Sequence, residues 1–259
     1  MKKILFSGIF LLMGLAVLAQ GKLYLLFEFM EVHDENASEY LDVEEFWSGI
    51  HQQRVADKSI LGWDLWALTP AGSKQGSNYL TVTQFSSLQK MLEASGGLDI
   101  MGYAQKANPQ MSEKDLNAMM DKTVHSRDIA NQVFIEEVDQ TDDNFKMHLG
   151  MVVTLDVMKQ LDDGYEKAES EIFKPIHQQF VNSGKSGHWG LMRTILPAGS
   201  EAYGTHIAYS FFNDYEQLAK YMEMPMGDWD NKTQIAVQQG LKTRDWKEKI
   251  IGHLVKMVR

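Results

Sequence analysis

Two kinds of hydrophobic pattern alternate along the chain. Runs rich in aromatic and β-branched residues are typical of strands, whereas apolar residues three and four apart lie on one face of a helix. The first pattern occupies residues 22–32 (KLYLLFEFMEV), and the second begins near Ser38 and places Phe46, Trp47 and Ile50 on one face. Further strands are predicted at 63–69, 79–85 and 131–138, and further helices from Ser86 or Ser87 to Glu93 and from Ser112 to about Lys122, with a loop at 95–110.

The same order of elements returns in the second half of the chain. Its predicted strands cover 145–155, 189–196, 205–212 and 249–258, and its helices cover 161–181, a short segment after Asn213 or Asp214, and 228–241. Two sequence motifs return with them: IHQQ at 50–53 recurs at 176–179, and PAGS at 70–73 recurs at 197–200. A repeat of this length is too long for a solenoid and suits one small domain present twice.

Each half has the order strand, helix, strand, strand, helix, strand, which is that of the ferredoxin-like, or split βαβ, arrangement. We predict an α+β chain with a signal peptide at 1–19, a first ferredoxin-like βαββαβ repeat at 20–139 and a second at 140–259. Neither face of the strand at 79–85 is cleanly polar. Such a strand is expected where helices cover one side of a sheet and a partner sheet covers the other.

The element order and the repeat spacing resemble the dimeric α+β barrel superfamily, in which two four-stranded sheets face each other and the helices lie outside. The resemblance covers essentially the whole chain after residue 19, and no signature sequence of one member is present. It implies two tandem repeats that close on each other as an intrachain pseudo-twofold barrel, and hence a monomer. The superfamily includes haem-degrading monooxygenases, antibiotic-biosynthesis monooxygenases, chlorite-dismutase-like haem proteins and members without known activity, so the fold does not fix the function.

The N-terminal stretch predicts export. Lys2 and Lys3 form a basic start, residues 4–18 are mostly apolar, and residues 17–19 (VLA) suit a signal-peptide cleavage site. The uninterrupted apolar run is too short to span a bilayer, so we expect cleavage and a periplasmic or secreted product with no membrane contact. The chain has no cysteine, which excludes disulfides, a thiol nucleophile and a cysteine-linked lipid anchor.

The net charge of the chain indicates which classes of partner it can bind. Without residues 1–19 the chain has 23 basic and 35 acidic residues, a net charge of −12. Such a surface repels nucleic acid and anionic membranes, so the expected partner is a small molecule. The sequence contains no glycine-rich phosphate loop, no Gly-x-Ser-x-Gly and no His-Glu-x-x-His. The acidic pairs Glu44 with Glu45 and Asp162 with Asp163 are interpreted as solvated helix faces or caps.

His51 and His177 are the only histidines at matching positions of the two halves, each four residues after an aromatic residue, Trp47 or Phe173. Residues four apart share a helix face, so each histidine lies beside its aromatic neighbour. One interpretation makes them ligand-contacting or metal-binding residues at a pocket between helix and sheet. The other, which the repeat itself favours, makes them packing residues that both halves need.

Three further histidines, His148, His206 and His253, fall on strands predicted to be adjacent. If their side chains share a face, they could converge as a weak candidate metal site or as contacts to haem, the one cofactor that the resemblance suggests. Arg193 lies in mid-strand, where a buried cation needs a partner. It is expected either to bind a ligand carboxylate or to pair with Glu169 or Glu171.

The expected function is the binding of a small apolar or planar ligand between the sheet and the helices. Aromatic residues would line that pocket, although most aromatic residues serve the core. The expected ligand-binding residues are His51, His177, Trp47, Phe173, Trp63, Trp189, Tyr79, His206 and Arg193. Two alternatives stay open: a haem-dependent or monooxygenase-type oxidoreductase, and a non-catalytic structural or interaction module. Whether the chain is an enzyme stays open with them.

Overall fold

A computed structural model describes residues 22–72, 74–225 and 229–259. The predicted signal peptide therefore lies outside the described residues. The strands are β1 (Tyr24–Glu31), β2 (Gly62–Thr69), β3 (Tyr79–Phe85), β4 (Asp128–Gln140), β5 (Val152–Gln160), β6 (His188–Leu196), β7 (His206–Phe212) and β8 (Arg244–Val258). The helices are α1 (Ala37–Ala56), α2 (Leu88–Gly97), α3 (Ile100–Ala107), α4 (Glu113–His125), α5 (Tyr165–Ala168), α6 (Lys174–Asn182), α7 (Tyr215–Met222) and α8 (Asn231–Leu241). In this part of the chain, no helix is long and apolar enough to cross a membrane.

The eight strands form one closed antiparallel barrel in the order β1-β3-β2-β8-β5-β7-β6-β4. The first four strands follow one another as β4-β1-β3-β2 and the last four as β8-β5-β7-β6, which is the same order in each half. Pairing of β2 with β8 and of β4 with β6 joins the halves. The predicted α+β class and the eight-stranded barrel are thereby confirmed.

Helix starts follow the capping chemistry of the sequence. Ser87, Ser112 and Asp214 each accept a hydrogen bond from the backbone N–H three residues later, which satisfies a donor that the helix leaves free. The predicted loop at 95–110 instead contains α3, whose first turn is capped in the same way by Asp99. Burial of Ala104 against α1 stabilises this short helix despite its glycine.

Apolar side chains lie in two layers, one on each face of the barrel wall. The inner layer fills part of the barrel and includes Phe27, Trp66 and Leu155. The outer layer lies between the wall and the helices and includes Trp63 in the first half and Trp189 in the second. Because alternate strand residues point to opposite faces, Trp63 and Trp66 lie on opposite faces of β2.

A buried ion pair occurs at matching positions of the two halves. Glu44 on α1 accepts a hydrogen bond from Arg127, and Glu169, in the π-helical turn Glu169–Phe173 that joins α5 to α6, accepts one from Arg244. Glu44 is only 1% exposed, so its interpretation as a solvated residue is wrong, whereas the neighbouring Glu45 is exposed as expected. The charge of Arg127 makes this burial tolerable, and helical spacing alone could not reveal that partner.

Candidate functional site

A cavity of about 1050 Å³ lies inside the barrel, between the two sheets. Its walls include inward-facing apolar residues of both halves, among them Phe27 and Val82 from the first and Val153 and Met192 from the second. This volume is at the upper end of the range for sites that bind small molecules. The cavity is not in the layer between sheet and helices where the sequence placed the pocket.

Three aromatic rings form a nearly parallel wall of the cavity. The ring of Phe211 lies 6.1 Å from that of Trp66, at 5° between planes, and 5.7 Å from that of Phe145, at 22°. The imidazole of His188 lies against the same ring at 5.6 Å and 27°. Trp66 and Phe211 come from different halves, so barrel closure is what brings this aromatic wall together.

A hydrogen-bonded chain of four polar residues lines the cavity where β4 of the first half meets the second half. Asp143 Oδ2 lies 2.7 Å from Nδ1 of His188, and Nε2 of His188 lies 3.2 Å from the hydroxyl of Tyr209. That hydroxyl donates to Oε1 of Glu137 at 2.8 Å. Thr141 fixes the far end by donating to Asp143 at 2.8 Å. We call Asp143, His188, Tyr209 and Glu137 the polar chain.

Burial changes the acidity of two members of the polar chain. It raises the pKa of the Glu137 carboxyl, against the opposing effect of the hydrogen bond from Tyr209. Burial, together with the nearby Glu137 charge, raises the pKa of Tyr209 well above its usual value. Glu137 is therefore a stronger base than a carboxylate in water, while Tyr209 stays a neutral hydroxyl that can pass on a proton.

A second polar cluster lies at the end of the cavity formed by the first half. Asp64 is 1% exposed and pairs with both terminal nitrogens of Arg259, at 2.8 and 3.0 Å, while Gln84 donates to it at 2.9 Å. Burial raises the pKa of Asp64, although Arg259 and Gln84 both act to lower it. Arg259 and Gln84 hold this carboxylate in place, so it is a structural part of the wall.

The matched histidines lie outside the barrel. His51 stacks on Trp63 at 4.8 Å, and His177 stacks on Trp189 at 5.1 Å, both between helix and sheet. Burial lowers the pKa of His51 well below its usual value and that of His177 to about 3, so both rings are neutral. Neither ring lines the cavity. The duplicated pair of rings is what packing a helix on this sheet requires in each half.

The other predicted ligand residues are also mostly outside the cavity. Trp47 donates to Thr123, the ring of Phe173 lies under Arg244, and Tyr79 lies against Tyr40. Of the nine expected ligand-binding residues, Arg193 alone lines the cavity. Arg193 pairs with Glu166 at 2.8 Å and Glu136 at 3.5 Å rather than with Glu169 or Glu171, because Glu169 is held by Arg244.

The three candidate metal-binding histidines do not come together. His148 precedes β5 in an exposed segment, and its ring bonds the Leu149 carbonyl. His206 pairs across the sheet with Met158, whereas His253 pairs with Val152, six positions away along β5. His206 bonds Glu166 at 3.0 Å instead, and His253 stacks on an aromatic ring of α7. Within residues 22–72, 74–225 and 229–259, no group of three or more His, Cys, Asp or Glu is arranged to hold a metal ion.

Haem needs an axial ligand atom directed into a cavity that can hold the macrocycle. His188 is the one histidine of the described chain that lines the barrel cavity, and both its ring nitrogens already face partners, Asp143 and Tyr209. His177 has an Nδ1 without a partner, but the ring lies on the helical side of β6, flat against Trp189. Neither histidine presents a free axial ligand to the cavity, so these two residues do not fit a histidine-ligated haem at this site.

Sequence reasoning missed the polar chain, yet one signal was present. Gly62, Trp63 and Asp64 align with His188, Trp189 and Gly190, so the tryptophan is common to both halves whereas its neighbours differ. The shared tryptophan faces the helices, and the differing Asp64 and His188 line the cavity. Differences between the two copies, rather than agreements, mark the site.

Comparisons with known proteins agree on the fold and go no further. No family model matches the sequence, and no curated protein matches it. An anthrone oxidase-like protein aligns at a TM-score of 0.56 and 12% identity over 92% of this chain and 93% of that one. A candidate monooxygenase from Fusobacterium nucleatum aligns at 0.55 and 10% over 92% and 94%. A haem-binding protein from Thermus thermophilus aligns at 0.51 and 8% over 91% and 92%. The chain is thus similar to dimeric α+β barrel proteins, as the resemblance implied, and at these identities the likeness shows the fold alone.

Proposed function

We propose that the chain binds a flat aromatic small molecule inside the barrel. The observation that carries this is the cavity of about 1050 Å³ with the nearly parallel rings of Trp66, Phe211 and Phe145 along one wall. Flat apolar ligands gain both buried area and offset stacking against such a wall. The polar chain adds fixed hydrogen-bonding groups that orient a ligand against this wall, and further charged residues, among them Lys174 and Arg193, line the rest of the cavity.

Isothermal titration with anthraquinone tests this proposal. Val82→Trp fills space on the inner face of β3, so it should abolish binding while circular dichroism shows the fold retained. His177→Phe is the matched control, since it alters a stacked ring on the helical side and should leave the affinity within about twofold. Equal binding by wild type and Val82→Trp would refute a barrel site. Loss of binding in His177→Phe alone would place the ligand between helix and sheet, where the sequence first suggested it.

A monooxygenase-type oxidation of the bound ligand is the second candidate function. Two of the similar structures are named as an anthrone oxidase-like protein and a candidate monooxygenase, and the polar chain supplies a base beside the aromatic wall. Oxygen consumption with anthrone, compared between wild type and Glu137→Gln, tests this candidate. An unchanged background rate in both proteins would leave ligand binding as the function.

We further propose that the halves are tandem ferredoxin-like repeats, at 20–139 and 140–259, that fold as a monomer exported after cleavage at residue 19. The duplicated ion pairs of Glu44 with Arg127 and Glu169 with Arg244 support the repeat. All eight strands of the closed barrel come from one chain, which supports a monomer. N-terminal sequencing of the periplasmic protein tests export, and its sedimentation mass tests the monomer.

A further inference from the structure

The polar chain has a proton arrangement that can be worked out from its three contacts. Tyr209 has one hydroxyl hydrogen, which it donates either to Glu137 or to Nε2 of His188. If it donates to a Glu137 carboxylate, Nε2 must carry the proton shared with the tyrosine oxygen. Nδ1 must also carry a proton to satisfy the ionised Asp143 at 2.7 Å. In this arrangement His188 is an imidazolium between two carboxylates.

The alternative arrangement contains the same number of protons. Glu137 is then protonated and donates to Tyr209, whose hydroxyl donates to Nε2 of a neutral His188. Moving one hydrogen along each of these two contacts converts the first arrangement into the second. The polar chain is therefore a proton relay whose cavity end is the Glu137 carboxyl.

Among the cavity-lining carboxylates that are not exposed, Glu137 is the one without a direct cation or histidine partner within the described residues. Asp64 is paired with Arg259, Asp139 with Lys174 at 2.5 Å, and Asp143 with His188. Within the described residues, Glu137 forms no ion pair; Tyr209 donates a hydrogen bond to its Oε1, and its Oε2 accepts none. A half-buried carboxylate with an unused oxygen on a cavity wall favours a ligand that brings a hydroxyl donor.

We propose that Glu137 accepts and removes the proton of a phenolic or enolic hydroxyl on the bound aromatic molecule. This inference rests on the proposed function, because it names the class of ligand for the same cavity. The ligand O–H bond breaks, its electron pair stays on the ligand oxygen, and the proton goes to Oε2 of Glu137. In the first of the two proton arrangements, the proton that His188 shares with Asp143 and Tyr209 then balances the negative charge of the ligand oxyanion.

Three probes that differ only at one substituent test the inference: anthraquinone, 2-hydroxyanthraquinone and its methyl ether. Wild type should bind the hydroxyl probe about tenfold or more tightly than the methyl ether, as expected for a hydrogen bond to a charged acceptor. The bound hydroxyl probe should show the red-shifted absorbance of its anion at a pH where the free probe is protonated. Glu137→Gln keeps the shape of the side chain but should lose both the preference and the red shift.

Glu136→Gln is the matched control, because Glu136 is the preceding residue of β4, pairs with Lys22 and Arg193, and does not line the cavity. It should retain the preference and the red shift. Equal affinity of wild type for all three probes would overturn the inference and leave the proposed function standing. Failure of all three to bind would instead reject the proposed function. Retention of the anion spectrum in Glu137→Gln would also overturn the role given to Glu137.

Discussion

Replacing Arg127 by methionine should expose the cost of burying Glu44. Glu44 is 1% exposed, and burial raises its pKa to about 7 even though Arg127 acts to lower it. Each tenfold change in proton affinity corresponds to about 1.4 kcal/mol, so ionised Glu44 already costs roughly 3 kcal/mol above pH 7. Arg127→Met removes the main compensating cation, and we expect it to lower the free energy of unfolding by about 3–5 kcal/mol at pH 8.

The pH dependence of this loss has a defined sign. The folded state binds a proton on Glu44 more tightly than the unfolded state, whose carboxyl has its ordinary pKa. The contribution of Glu44 to stability therefore falls as the pH rises from about 4.5 to 7. At pH 5, Glu44 of the folded Arg127→Met variant is protonated, so it carries no unpaired charge. At pH 5 we expect Arg127→Met to cost only about 1–2 kcal/mol, from lost hydrogen bonding.

Urea unfolding of four proteins at pH 5 and pH 8 measures these differences. The double variant Glu44→Leu with Arg127→Met should regain most of the loss, because neither buried charge remains. Glu45→Gln, next to Glu44 but on the exposed side of α1, should change stability by less than about 1 kcal/mol. A loss in Arg127→Met that is the same at both pH values, or below about 1 kcal/mol at pH 8, would refute the reasoning.

Three further predictions concern the site and the matched histidines. A Cβ on Gly190 would lie 2.4 Å from the Tyr209 ring, so Gly190→Ala should destabilise the fold by about 1–3 kcal/mol and weaken the binding of 2-hydroxyanthraquinone. Gly96→Ala is the control, because a Cβ there meets open space, and it should have neither effect. Urea unfolding measures the stability and calorimetry measures the binding. Burial lowers the pKa of His177 from 6.5 to about 3, so the unfolded state binds a proton at a higher pH than the folded state, and stability falls as the pH falls across that interval. Between pH 7 and pH 3, the free energy of unfolding of His177→Phe should therefore fall by about 4 kcal/mol less than that of the wild type. An equal fall in both proteins would contradict this. We expect that titration with haem gives no saturable Soret shift that depends on His188. A shift that His188→Ala abolishes would contradict this, because it would show that Nε2 of His188 leaves Tyr209 and binds iron.

Much of the fold followed from local patterns in the sequence. Ser112 and its first-turn acidic residues identified α4, and alternating strand residues with repeated motifs indicated the two halves of a barrel. The loop expected at 95–110 contains α3 because burial of Ala104 outweighs the local cost of glycine. Strand ends were also missed: β4 begins at Asp128 and β8 at Arg244, where the first residues are exposed or half-buried and form no continuous apolar run.

The site was harder to predict because the repeated residues drew attention to the wrong face. His51 and His177 recur because each helix packs on a tryptophan of its own sheet. Glu137 and His188 have no such counterpart, and they meet only after β4 and β6 join across the barrel seam. Which face of each strand turns inward depends on register, and a single bulge shifts it. No spacing rule along the chain contains that information.

The most direct measurement is a crystal structure of the chain grown with 2-hydroxyanthraquinone. We expect the ring system inside the barrel, flat against the wall of Trp66 and Phe211, with its hydroxyl within hydrogen-bonding distance of Glu137. Ligand density between α6 and the sheet beside His177, or only on the outer surface, would contradict the account. An empty barrel at saturating probe would contradict it equally.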